Sequence, residues 1–126
     1  MRNSLRVFAV LLFFGFLAHT VTAAESKAVQ AMAGILMSLN HFPGDADKQT
    51  LKGIMDDKAT TAQERVVAQA LLNVQHKVSA DDKPKLEAIV NDPAASASLK
   101  TLATTIINLN HMASSADKEK LKPLAS

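Results

Sequence analysis

The chain matches itself at a displacement of 35 residues, and that period constrains its fold more than any other feature. His41, His76 and His111 fall in register, as do Asp47, Asp82 and Asp117; Lys48, Lys83 and Lys118; and Leu51, Leu86 and Leu121. The same displacement aligns Ala33, Ala68 and Ala103, and Ala24, Ala59 and Ala94. Six columns are therefore identical in all three copies, where this composition would give roughly half a column by chance. The copies cover about residues 24–58, 59–93 and 94–126.

Other columns keep their character while the residue changes: Met32, Val67, Leu102; Leu36, Leu71, Ile106; Leu39, Val74, Leu109; Ile54, Ile89, Leu124. Apolar offsets of 4 and 3 within each copy describe one face of a helix, without the strict alternation of a strand. Each copy thus opens with a first helix, whose start is marked by Ser26, Thr61 or Ser96, hydroxyls suited to accept from first-turn amides. Thr61 with Glu64 adds a capping box. This helix is expected to run to the histidine, beyond which Phe42-Pro43-Gly44 breaks it in the first copy. A second, shorter helix follows. Pro84 would be the fifth helical residue if Ser79 were the cap and the second if Asp82 were, and proline is tolerated only near a helix start, so Asp47, Asp82 and Asp117 are expected to be the caps.

The expected fold is all-α: three helix-turn-helix repeats, six short helices, stacked as a short solenoid-like array or a compact helical bundle. No single helix pair can bury its apolar face alone, so neighbouring copies must share a core, with the invariant alanine column letting backbones approach closely. The plan resembles helical-hairpin solenoids. The period is one residue longer than the tetratricopeptide repeat, whose Trp, Tyr and Gly positions this chain lacks, and the resemblance is one of architecture.

The repeated histidine is the one residue that combines reactive potential with positional regularity. His41, His76 and His111 with Asp47, Asp82 and Asp117 make a His–carboxylate pair conceivable in each copy, half of a metal site. In a regular stack, however, equivalent helices lie about 8–10 Å apart. Three histidines so spaced cannot share one ion, which favours a structural role at the helix C-terminus. Met37, four residues before His41, and Met112, after His111, suggest soft copper ligands, but Leu72 and Ile107 share the Met37 column and point to core packing. Asp45-Ala46-Asp47 starts like a calcium loop, without the glycine and glutamate that complete one. No nucleophile elbow, metalloprotease motif or phosphate-binding glycine loop occurs, and repetition argues against one asymmetric catalytic cluster. Neither an enzyme nor a cofactor protein is expected. The reading is a non-enzymatic interaction or scaffold module with a periplasmic or secreted protein partner; the alternative is a metal- or small-ligand-binding protein using the histidine corners.

Location follows from the first 23 residues. Arg2 and Arg6 precede an apolar run over Val7–Ala18, and small residues lead up to Ala24, the pattern of a secretory signal peptide. The run is too short for a transmembrane anchor, which takes about 20 apolar residues. Cleavage removes two of 14 basic residues, leaving 12 against 12 acidic ones, so the domain over 24–126 has no net charge to draw it to nucleic acid. It also leaves Phe42 as the single aromatic residue, which excludes base-stacking platforms. A domain without cysteine or an Asn-x-Ser/Thr acceptor suits a bacterial periplasm. Mass measurement of the exported chain should find the N-terminus at Ala24 or Glu25; a chain retaining residues 1–20 would contradict this reading.

Overall fold

In the computed structural model, which describes residues 25–126, the helices begin where the hydroxyl residues predict. The signal-peptide expectation falls outside the described residues. Six helices follow in order: α1 (Lys27–Ser38), α2 (Asp45–Asp56), α3 (Ala62–Leu72), α4 (Lys83–Asn91), α5 (Ala97–Ile107) and α6 (Ser115–Ala125). Ser26 Oγ accepts from the Val29 amide, Thr61 Oγ1 from Glu64 and Ser96 Oγ from Leu99, each satisfying a first-turn donor. Glu64 Oε1 accepts in return from the Thr61 amide, completing the capping box.

Two of the three second helices start differently from expectation. Gly44 precedes α2 and Ser114 caps α6, its Oγ accepting from the Asp117 amide at 3.1 Å. In the middle copy Ser79 Oγ accepts from the Asp82 amide in the same way, and Lys83 N donates to the Ser79 carbonyl. Gly44 and Ser114 therefore precede their helices, with Asp47 and Asp117 three residues further on, whereas in the middle copy Asp82 stands directly before α4 as expected, although its carboxylate accepts from no first-turn amide. Pro84 is the second residue of α4, as expected. Lacking an amide to continue the ladder, it delays the regular α-helix to Lys83, after a turn over 80–82. Asp82 is buried, its Oδ2 accepting from Ser79 Oγ and Asn73 Nδ2 and so tying α4 to the end of α3.

The first helices also stop early, at Ser38, Leu72 and Ile107, three or four residues short of the histidines. Apolar residues four apart, as in columns 39 and 43, suit a helix and an extended segment alike. Here Leu39 and Pro43 are buried while Asn40 and Phe42 are exposed, the alternation of extended chain.

Around the core, α1, α3 and α5 pack on one another, whereas α2, α4 and α6 touch only these inner helices. Each outer helix packs chiefly on the inner helix of the next copy: α2 on α3, α4 on α5, and α6 back on α1. The last contact joins the two ends of the array, so of the two expected arrangements the compact one forms, as a ring of helices. Ala33, Ala68 and Ala103 are fully buried on the inner helices, as expected, among Met32, Val67, Leu102, Leu36, Leu71 and Ile106. No helix among the described residues is long and apolar enough to cross a membrane.

If Ser114 rather than Asp117 is the cap of α6, Ser114→Ala should lower stability by about 1 kcal/mol, and Asp117→Ala by less than about half of that. Denaturant midpoints of the two variants check the assignment.

Candidate metal centre

Closure of the ring carries the three histidines to one place. After each inner helix a buried residue (Leu39, Val74 or Leu109) anchors the chain, and two residues later the histidine sits at the tip of a reversal. Phe42 N donates to the Asn40 carbonyl at 2.9 Å and Lys77 N to the Gln75 carbonyl at 2.7 Å, bonds that skip only the histidine. With φ of 69°, 64° and 66°, His41, His76 and His111 take the hand of the classic γ-turn, a strained conformation that histidine tolerates better than most residues. They are the described residues other than glycine that adopt positive φ.

Neighbouring copies hold these tips. His41 N donates to the His111 carbonyl (2.7 Å), His76 N to that of His41 (2.6 Å), and His111 N to that of His76 (2.8 Å). Each histidine donates to one partner and accepts from the other, a closed cycle of three backbone bonds around the axis of the ring.

The side chains repeat this symmetry. The three ring centroids lie 4.9, 4.9 and 5.0 Å apart, while every pair of Nδ1 atoms is separated by 3.0 Å, so each imidazole turns Nδ1 inward. No placement of protons makes all three contacts favourable. A neutral imidazole Nδ1 is either a donor or an acceptor, and a protonated Nδ1 cannot accept. One protonated Nδ1 leaves two lone pairs facing each other; two protonated Nδ1 atoms set N–H against N–H. A cation bound by all three lone pairs removes the conflict.

The dimensions suit such an ion. A triangle with 3.0 Å edges puts its centre about 1.7 Å from each nitrogen, so an ion with bonds of about 2.1 Å stands about 1 Å off the plane with N–metal–N angles of about 90°. This is one face of an octahedron; tetrahedral zinc would open each edge to about 3.4 Å. Electrostatics point the same way. The carbonyl ends of α1, α3 and α5 lead into this end of the ring, and none carries a basic residue in its last turn to offset its partial negative charge.

His41, His76 and His111 are thus brought together, and the sequence-based objection to a shared ion fails because it assumed a regular stack. The alternative pairing with Asp47, Asp82 and Asp117 is not formed: among the described residues no carboxylate lies within ion-pair distance of a histidine, and the group able to hold an ion consists of the three imidazoles alone. The aspartates are committed to the first turns of the outer helices, away from the axis. Nor do the histidines cap the inner helices, which end before reaching them. Comparison with protein-family models, with curated proteins and with solved structures finds no match in any of the three.

Backbone strain at the tips has a measurable signature. In metal-free protein His76→Gly should be more stable than His76→Ala by about 1 kcal/mol, because glycine adopts positive φ without the Cβ penalty. Equal stabilities would show that the turn relaxes when the imidazole is lost.

Proposed function

We propose that this chain is a metal-binding protein that holds one first-row transition ion on the axis of its helical ring, through Nδ1 of His41, His76 and His111. The observation that carries the reading is the set of three mutual 3.0 Å contacts between Nδ1 atoms, which no direct arrangement of protons satisfies together and a shared cation does. Imidazole donors suit zinc, copper, nickel, cobalt and iron(II), and the octahedral face favours ions that readily take six ligands. The sequence pattern of residues 1–23 supports export, with the ion bound in the periplasm or outside the cell. A second reading, docking to another exported protein, draws on Phe42 and Met112, large apolar side chains 54% and 47% exposed beside two of the histidines.

Titration of the untagged, metal-stripped chain with Ni²⁺, Co²⁺ or Zn²⁺ should give one equivalent per chain. Each of His41→Gln, His76→Gln and His111→Gln should weaken binding by at least about a hundredfold, whereas Asp47→Asn and Asp117→Asn leave it unchanged. Because the ligands come from all three copies, the ion also clips the ring shut; a hundredfold excess over Kd should raise Tm by about 10 °C. Three equivalents per chain, or a thermal shift that survives loss of the histidines, would overturn the proposal.

A further inference from the structure

A facial set of three neutral ligands leaves half the ion's coordination sphere open and its full charge in place. What comes to that open side is marked by a difference between the copies. The residue after each histidine is Phe42, Lys77 or Met112, and only the first copy has an aromatic wall there. Beside it runs an open groove of about 480 Å³, lined by Phe42, Lys48, Asn73, Gln75 and His76 among others. His76 lines the groove and is also one corner of the Nδ1 triangle, whereas His41 and His111 do not line it. Lys48 Nζ stands 5.9 Å from the Phe42 ring centroid, and no carboxylate pairs with it among the described residues. The Gln75 side-chain amide likewise bonds to no other described residue.

We propose that the loaded centre binds a small 2-hydroxy- or 2-aminocarboxylate, which chelates the ion and lies in the groove between Phe42 and His76; this rests on the metal-binding reading above. Three open positions at about 90° to one another include adjacent pairs that a five-membered carboxylate chelate spans, displacing two waters without any change in redox state. Lys48 supplies the second positive charge for the carboxylate, Gln75 a hydrogen-bond partner for the far end of the ligand, and the Phe42 face excludes water from one side. The equivalent lysines, Lys83 and Lys118, have no aromatic neighbour in the same register and serve as internal controls.

The test uses the cobalt-loaded chain with lactate as probe and acetate as the single-oxygen comparator, read by the visible absorption of bound Co²⁺, with retention of the ion checked by ultrafiltration. Lactate should shift the spectrum saturably and bind more tightly than acetate. Lys48→Gln should weaken lactate about fivefold, and Phe42→Ala should weaken it too, while Lys83→Gln, Lys118→Gln and Met112→Ala stay within about twofold. Lactate binding no tighter than acetate, or equal losses at all three lysines, with cobalt still bound, would overturn this proposal and leave metal binding standing. Failure of the chain to take up cobalt, nickel or zinc would overturn both.

Discussion

The cycle of backbone hydrogen bonds among His41, His76 and His111 is the constraint on which the rest of the molecule depends. Three residues separated by 35 and 70 positions exchange amide and carbonyl partners only if the third copy returns to the first, and that return is what seats α6 on α1. A chain of three helix pairs would otherwise expose an apolar face at each end, which open arrays cover with specialised terminal repeats. Closure removes both ends at once. Six helices of 9 to 12 residues, each too short to be stable alone, thereby share one core.

Closure has a local cost. Positive φ at a residue other than glycine costs about 1–2 kcal/mol, and it is incurred three times. Three neutral backbone bonds return about 1 kcal/mol each, so the tips are close to balanced before the side chains are considered. Converging lone pairs then tilt the balance against the metal-free ring. The strained turns and the unsatisfied imidazoles are two aspects of one arrangement, since the positive φ is what lets neighbouring tips interlock and carries the rings to the axis. An ion at the centre, as proposed above, would offset both terms together.

Much of this fold is legible in the sequence because its signals are local. The helix starts at Ser26, Thr61 and Ser96, the capping box at Glu64 and the buried alanine column follow from periodicity and hydroxyl placement. The misplaced features have physical reasons. Apolar residues four apart at 39 and 43 fit helix and extended chain equally, so the early end of the inner helices carries no periodic signal. Only the middle copy has a proline in the first turn of its second helix, so Asp82 precedes α4 while Gly44 and Ser114 precede α2 and α6, a difference that the shared spacing does not report. Nor is ring closure encoded in any one copy: it depends on the small rotation that each copy adds to the last, which no residue pattern within 35 positions reports. The histidine column was visible as a column, but its chemistry changes entirely with that rotation.

The same geometry explains why one repeated residue forms a centre and another, equally regular, does not. In a ring of three copies only groups near the axis can meet; every other column is dispersed to three separate places. Histidine, at the tip of an inward reversal, lies on the axis, whereas Asp47, Asp82 and Asp117, on the outer helices, lie off it. Repetition therefore does not exclude a single site when the symmetry axis passes through it, and each copy contributes one ligand instead of a whole set. Even beside the axis the side chains that point outward differ between copies without disturbing the ring, as Phe42, Lys77 and Met112 do, so the symmetry of the backbone cycle does not extend to the surface around it.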